Sequence, residues 1–413
     1  MSKLTSQKKP FYYGWYIVLV LAINTTVGYG ILYYAFSVFI TPMEIEFGWS
    51  RGQLTLGLAL SSLVSGIIAY PIGWWVDKYG ARALMSVGAI LASLFVILWA
   101  QVETLWQFYI VWCGIGISGA MLLYEPAFAV IATWFTVKRS TALTIVTFAA
   151  GFASTIFLPL SDQLLIHFGW RDAVELLGIM LGVITAPLSL LIIRRRPEDI
   201  ALSSDGIEKS KMLPIEEKTS SISFAFRSRF FWFLTLSFSI AGFATAALRV
   251  HLIPILMDME IPSTTAAFAS GSIGIFQVVG RLIFMPLDKF MSGRIMLAGL
   301  FLMQGLAIIM LFNNGVIWSL IIFVILFGAS VGMRTLVRPS ILADTYGSAN
   351  YGRVSSLMAL PLTLSATTAP VIAGFMYDYF QSYTLLITIT LFLSIIASIV
   401  ILFNRVVLNR SLV

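Results

Sequence analysis

Most of this chain consists of apolar runs of about 20 residues, and this pattern restricts the possible folds more than any other feature. Of its 413 residues, 59% are hydrophobic and only 11% are charged, whereas a soluble domain carries roughly 25% charged residues. A helix needs about 20 apolar residues to cross a hydrocarbon core of ~30 Å. The sequence therefore predicts an all-α integral membrane protein with twelve transmembrane helices, at residues 15–41, 52–75, 82–100, 105–134, 140–161, 172–193, 230–257, 264–286, 294–312, 316–343, 353–376 and 382–404.

The placement of basic residues predicts how these helices are oriented. Of the 26 basic residues, four fall within predicted helices, and only Arg51 and Arg171 fall in the loops on one side of the membrane. The other 20 (26 − 2 − 4) lie in the termini and in the loops on the opposite side, as is typical of cytoplasmic segments. We expect a multi-pass protein of the plasma (inner) membrane with both termini in the cytoplasm. Its net charge of +7 then reflects topology and indicates no nucleic-acid partner.

The two halves of the chain resemble each other at a nearly constant offset. Matching residues recur 211 (288 − 77) to 213 (338 − 125) positions apart: Asp77-Lys78 with Asp288-Lys289, Pro159 with Pro370, Pro42 with Pro254, and Glu125-Pro126 with Arg338-Pro339. This repeat predicts two pseudo-symmetric six-helix bundles, at residues 1–193 and 230–413. A polar, serine-rich cytoplasmic linker is predicted between them at residues 194–229. Parallel repeats of this kind place a binding site at their interface, near the middle of the membrane.

The sequence provides no set of residues for an enzyme or a metal site. Its single cysteine, Cys113, allows no intrachain disulfide and no cysteine-based metal cluster. His167 and His251 are too few and too far apart in the sequence for a metal site. The chain contains no G-x-x-x-x-G-K-[ST] phosphate-binding loop. We therefore expect no cofactor, no metal and no enzymatic activity.

Two ionisable residues of opposite sign occupy matching positions inside the apolar runs. Glu125 and Arg338 are each followed by proline, and Arg334 lies four residues before Arg338 on the same helix face. A charged group inside a bilayer costs at least about 2.5–3.5 kcal/mol, so it usually faces a partner or a wet cavity. Two interpretations stay open: a structural salt bridge between Glu125 and one arginine, or a site where the second arginine binds an anion. In the second, protonation of Glu125 would free an arginine, which makes Glu125 the candidate proton carrier.

Polar residues on the first and seventh predicted helices complete the expected substrate site. Arg249 is either a further cationic residue of a cavity or an arginine that extends towards the membrane interface. Tyr29 and Tyr33 share one face of the first helix, and with Asn24 they either line a cavity or pack between helices.

The loop after the second predicted helix carries a specific motif. It reads GWWVDKYGARAL, and a degraded copy, FMPLDKFMSGRIM, follows the eighth helix. This loop resembles the signature loop of the major facilitator superfamily, which implies two six-helix bundles around a cavity lined by helices one, four, seven and ten. Gly73 is expected to let helices approach closely, and Asp77 to cap the next helix while pairing with Lys78 or Arg82. The alternative is a charged turn that only fixes topology. The resemblance implies that the loop acts as a gate, with the residues Gly73, Asp77, Lys78, Gly80, Arg82, Asp288 and Lys289.

Longer segments, such as WFTVKRSTALTIVTFAAGFASTIFLPL and HLIPILMDMEIPS, resemble the branch of that superfamily which contains monocarboxylate transporters and oxalate/formate antiporters. This resemblance implies that Arg281 binds a substrate carboxylate; the alternative is that Arg281 pairs with acids on the cytoplasmic side. Gln277 stands where the branch has an aspartate, and Tyr34 lies near the position of its first-helix lysine. These departures weaken an assignment to lactate or oxalate.

These features predict a monomeric secondary active transporter that moves a small, monocarboxylate-like organic anion by alternating access, as a proton-coupled symporter. The expected substrate-binding residues are Arg334, Arg338, Arg281, Arg249, Tyr33, Tyr29 and Asn24. One alternative is an exporter of hydrophobic or cationic compounds, which would need an acidic cavity. The other is a non-transporting membrane sensor, which usually has a larger soluble output domain.

Overall fold

A computed structural model of the chain describes residues 12–200, 202, 227–287, 293–313, 316–346 and 351–403. Most of the predicted linker and the predicted gate residues Asp288 and Lys289 lie outside these ranges. In the first half, span 1 consists of Gly14–Tyr29 and Phe36–Phe47, joined by a π-helical turn at Gly30–Tyr34. Span 2 is Arg51–Tyr79, span 3 is Ala81–Ala100, and span 4 consists of Leu105–Leu122 and Tyr124–Trp134. Spans 5 and 6 together occupy Arg139–Gly151 and Ala153–Ile192, and the boundary between the two spans is Gly169. The second half has spans 7 (Arg229–Asp258), 8 (Ser263–Leu287), 9 (Gly293–Ile309), 10 (Ile317–Tyr346), 11 (Tyr351–Phe380) and 12 (Thr384–Phe403).

The described residues form eleven segments that are long and apolar enough to cross a membrane. One of them, Arg139–Ile192, has 54 residues, and a single helix of that length would extend about 80 Å, far beyond a hydrocarbon core of ~30 Å. The segment leaves helical geometry at Gly169, where φ is 79° and ψ is 168°, so it contributes two spans. The described part of the chain therefore makes twelve crossings, which confirms the predicted all-α membrane fold.

The two halves repeat the same order of helices. Spans 2 and 8 begin 212 residues apart (263 − 51), and so do spans 5 and 11 (351 − 139). Each half has its own buried core in the described residues: one apolar cluster lies within residues 17–193, and two clusters are built mainly from residues after 229.

Local sequence signals define where several spans begin. Ser50 and Gln53 form a reciprocal capping box at the start of span 2, and Thr104 and Gln107 do the same for span 4. A capping box satisfies backbone N–H groups that have no partner in the first turn of a helix. Gly48, with φ of 67°, ends span 1 in the left-handed conformation that glycine adopts without steric penalty.

Three spans that border the space between the halves are broken near their middle. Span 1 has its π-helical turn, span 4 is interrupted at Leu123, where ψ is −141°, and span 5 is interrupted at Phe152. Pro126 follows the break in span 4 and lacks the N–H that a continuous helix would need there. Breaks and π-helical turns occur frequently at functional sites, and these three direct attention to the same central space.

Candidate functional site

A central cavity of about 980 Å³ lies between the two halves. Spans 1, 2, 4 and 5 line it from the first half, and spans 7, 8, 10 and 11 line it from the second. The structure brings six of the seven predicted substrate-binding residues to its wall: Tyr29, Tyr33, Arg249, Arg281, Arg334 and Arg338. Residues from distant parts of the sequence therefore share one site.

Among the described residues, all the charge in the cavity wall comes from the second half. Four arginines from spans 7, 8 and 10 line the cavity, and no carboxylate is among the described residues that do so. The Arg334 guanidinium donates to the Gln304 side-chain oxygen at 3.1 Å and to the Thr245 hydroxyl at 2.9 Å. Both partners are neutral, so they hold the guanidinium in place and leave its charge uncompensated.

The other arginines are also held by neutral groups. Arg281 donates to the backbone carbonyl of Thr147 at 3.2 Å, across the boundary between the halves, and Arg249 lies over the Tyr34 ring at 5.7 Å from its centroid. Nη2 of Arg249 and Nε of Arg281 are buried, and neither has a hydrogen-bond partner in the described part of the chain. Unpaired buried donors of this kind favour an acceptor, and an anion would be the strongest one.

The first half supplies an aromatic wall. Tyr29 lies at the centre of a row of rings: its centroid is 5.6 Å from that of Tyr33 and 4.7 Å from that of Tyr124. Tyr124 stacks on Phe128, with centroids 4.8 Å apart and an interplanar angle of 20°. All four rings line the cavity. We call these four residues the aromatic wall.

A salt bridge of Glu125 was one of the two interpretations that the sequence left open, and the structure does not show it. The described residues include Glu125, Arg334 and Arg338, and no ion pair joins the carboxylate to either arginine. The Glu125 side chain is exposed and is absent from the cavity lining. The helix that follows the break at Leu123 places the Tyr124 ring in the cavity wall, and the next side chain, that of Glu125, lies about 100° further around this helix.

Asn24 also lies away from the cavity. It is fully buried, and its amide donates to the Ser189 hydroxyl at 2.8 Å, which links spans 1 and 6. The structure thus does not bring Asn24 to the cavity with the other predicted substrate-binding residues. The alternative reading of packing between helices accounts for it.

The structure describes most of the signature loop between spans 2 and 3. Asp77 lies inside span 2, and Gly80 is the residue before span 3, with φ of 84° and no side-chain cap; the Asp77 side chain is not among the described atoms. Lys78 accepts at its backbone carbonyl from Arg195, and Arg82 donates to a carbonyl of span 6 at 2.7 Å. The loop is thus held to the end of span 6. No described atom lies within 4 Å of the Cβ position of Gly73, so the predicted close approach is absent there.

A buried arginine joins the halves at the end of the bundle opposite to the start of span 1 and the end of span 12, and we call this the sealed end. Arg51 on span 2 pairs with Glu44 at 2.9 Å and, across the halves, with Asp258 at 3.3 Å. Its Nη1 donates to the Tyr383 hydroxyl at 3.0 Å, and its Cζ lies 3.8 Å from the centroid of the Tyr377 ring. From the sequence, Arg51 was expected in a loop and no partner was predicted for it.

Backbone contacts strengthen the sealed end. The N–H groups of Arg51 and Gly52 both donate to the Asp378 carboxylate, at 3.0 and 2.9 Å. A Cβ on Gly374 would lie 2.7 Å from the Gly52 Cα, so spans 2 and 11 are in backbone contact there. The Asp378 carboxylate of the second half thereby caps the N-terminus of span 2 in the first half.

His251 extends this network into span 7. Its Nε2 faces the carbonyl of Pro370 at 2.9 Å, and its Nδ1 faces the Tyr383 hydroxyl at 2.7 Å. Because a carbonyl only accepts, Nε2 carries the proton in the neutral ring and Nδ1 accepts from Tyr383. Burial raises the pKa of Tyr383, which keeps its hydroxyl protonated for this role. A continuous chain of donors therefore runs from Arg51 through Tyr383 to His251.

Two six-helix halves around a central charged cavity, closed at one end by contacts between the halves, define a membrane transport protein. The family model for the Major Facilitator Superfamily matches residues 21–283 and 250–411. The chain belongs to the Major Facilitator Superfamily.

Individual relatives support the same family. The chain is 24% identical over 387 residues to an uncharacterized MFS-type transporter, YcxA, of Bacillus subtilis (strain 168), covering 91% of each chain. It is 25% identical to monocarboxylate transporter 12 of Xenopus laevis (84% of this chain, 80% of the relative) and 25% identical to monocarboxylate transporter 4 of Rattus norvegicus (90% and 78%). The predicted resemblance to monocarboxylate transporters is thus confirmed.

A solved structure shares the fold. A bacterial homolog of the human lysosomal transporter Spinster, in an inward-facing and occupied conformation, superimposes with a TM-score of 0.72 at 16% identity, covering 94% of this chain and 96% of that one.

Proposed function

We propose that this protein is a secondary active transporter that moves a small organic anion across the membrane by alternating access. The observation that carries the proposal is the charge of the cavity: four arginines and no carboxylate among the described lining residues. Cations are expensive in the membrane interior, and an anion that enters the cavity offsets that cost. The relatives named as monocarboxylate transporters agree with an anionic substrate.

The sealed end supports alternating access. Arg51 and Asp378 join the halves on one side of the cavity, and these contacts must break for the cavity to open there. With both termini in the cytoplasm, as the basic residues predict, the sealed end faces outward and the structure is the inward-facing state. Rocking of the two halves around the cavity would then exchange the open side.

We further propose that protons drive uptake and that Glu125 carries them. The carboxylate follows the break in span 4 beside Tyr124 of the aromatic wall, so a change in its charge acts close to the cavity. The protein would work as a monomer in the plasma (inner) membrane, since each chain contains both halves of the cavity.

Thermal unfolding of the purified protein with a panel of ions tests the proposal. We expect acetate, propionate, succinate or phenylacetate to raise Tm in a concentration-dependent way, and Arg334→Gln to abolish the increase. Arg171→Gln is the matched control, because Arg171 pairs with Glu46 at 2.8 Å within the first half, away from the cavity. Stabilisation by the lipophilic cation tetraphenylphosphonium but by none of the anions would refute anion transport and favour a cation exporter.

A further inference from the structure

The two halves contribute different chemistry to the cavity. Its four arginines all belong to spans 7, 8 and 10, whereas six of its seven aromatic side chains belong to spans 1, 4 and 5. The described lining residues of the first half include no charged group. A substrate in this cavity therefore meets cations on one side and rings on the other.

The aromatic wall is arranged as a surface and not as scattered side chains. Its rings follow one another from Tyr33 through Tyr29 and Tyr124 to Phe128, with centroid separations of 5.6, 4.7 and 4.8 Å. These distances fall in the range in which aromatic rings attract one another. The π-helical turn in span 1 and the break in span 4 lie next to these residues, so irregular backbone at two places brings the rings together.

The size of the cavity exceeds what a very small carboxylate needs. A volume of about 980 Å³ lies at the upper end of the range of about 300–1,000 Å³ found for pockets that hold drug-sized ligands. A two- or three-carbon acid bound by the arginines would fill only a small part of this volume.

We propose that the substrate is an amphipathic anion, whose carboxylate binds Arg249, Arg281 and Arg334 and whose planar aromatic body lies against Tyr29, Tyr124 and Phe128. The side chains of Arg249, Arg281 and Arg334 line the cavity, and their guanidinium groups supply hydrogen bonds for the carboxylate. This inference rests on the proposed function and specifies its substrate class as aryl carboxylates.

Carboxylates that carry the same charge but differ in their apolar part test whether the substrate is an aryl carboxylate. Competition with phenylacetate counterflow in proteoliposomes should rank phenylacetate above propionate by roughly 10- to 100-fold, the factor expected for burying one phenyl group. Cyclohexylacetate has similar bulk and no π-system, and we expect it to rank clearly below phenylacetate. Neutral phenylacetamide should not compete, because it lacks the charge.

Variants of the aromatic wall test whether the aromatic part of the substrate binds there. Tyr29→Leu and Phe128→Leu should each lower the affinity for phenylacetate about tenfold and leave the affinity for propionate unchanged. Tyr29→Phe and Phe128→Tyr keep the aromatic ring and should retain the affinity for phenylacetate. Phe268→Leu is the matched control, because this side chain is 54% exposed on the outside of span 8.

The outcomes separate the two proposals. If propionate equals phenylacetate, or if the leucine variants weaken both ligands equally, the aryl class is refuted while anion transport stands. If cyclohexylacetate equals phenylacetate, the wall recognises apolar bulk and the aromatic part is refuted. If no carboxylate competes and Arg334→Gln changes nothing, the proposed function fails as well.

Discussion

Replacement of Arg51 by glutamine should shift the protein out of the state in which the sealed end is closed. The Arg51 side chain is 5% exposed, and it contacts Asp258, Tyr383 and Tyr377 of the other half. Glutamine keeps a polar group on a shorter side chain and removes the charge from all of these contacts. In the wild type these contacts exist only while the sealed end is closed. The substitution therefore mainly destabilises the state in which the sealed end is closed.

The size of the free-energy change caused by Arg51→Gln follows from the burial of Arg51 and its partners. Removing one member of a buried ion pair costs about 3–5 kcal/mol, and we reduce this value because the Asp258 carboxylate is 32% exposed and solvent screens part of the interaction. A loss of about 2–3 kcal/mol changes the ratio of the two states roughly 30- to 150-fold.

Distance measurements between the halves would detect this change. Spin labels at Ile45 and Tyr379, which are 79% and 82% exposed near the sealed end, suit double electron–electron resonance in a Cys113→Ser background. We expect a single distance population in the reference protein and a second, longer one in Arg51→Gln. Arg171→Gln, whose partner Glu46 belongs to the same half, should resemble the reference. An unchanged distribution in both Arg51→Gln and Asp258→Asn would refute the role of this network.

Three further outcomes are expected. Gly374→Val should prevent spans 2 and 11 from touching, since even a Cβ would lie 2.7 Å from the Gly52 Cα; the same labels should then report the longer distance as the main population. Tyr383→Phe removes the acceptor of Arg51 and the donor to His251, and we expect a loss of about 1–3 kcal/mol in stability, measured as a lower Tm, whereas Tyr379→Phe on the exposed surface should leave Tm unchanged. Glu125→Gln should abolish uptake driven by a pH gradient and spare exchange at equal pH, both measured in proteoliposomes, and full pH-driven uptake in this variant would contradict proton coupling through Glu125.

The helices and their repeat were predictable because each depends on local or short-range properties. A hydrocarbon core selects apolar runs of a given length, so the bounds of span 4, predicted at 105–134, agree with helices that start at Leu105 and end at Trp134. Arg249, Arg281 and the arginines of span 10 stood out for a similar reason, because a charge in an apolar run needs an explanation wherever it lies.

The partners of those charges were not predictable. The possible bridge to Glu125 rested on equal depth along two helices, whereas in the structure Tyr124 and not Glu125 lines the cavity. Depth follows from counting residues, whereas direction depends on an irregular backbone whose geometry the sequence indicated only through Pro126.

The sequence by itself determined that the chain crosses the membrane twelve times in two repeated halves and that the second half carries four arginines within its spans. Only the tertiary structure decided that these arginines share one cavity with an aromatic wall, and that Arg51 joins residues as distant as Asp258 and Tyr383 at the sealed end. The physical reason is the range of the interactions. Membrane insertion depends on each apolar run separately, whereas a binding site forms where side chains more than 200 residues apart meet through helix packing.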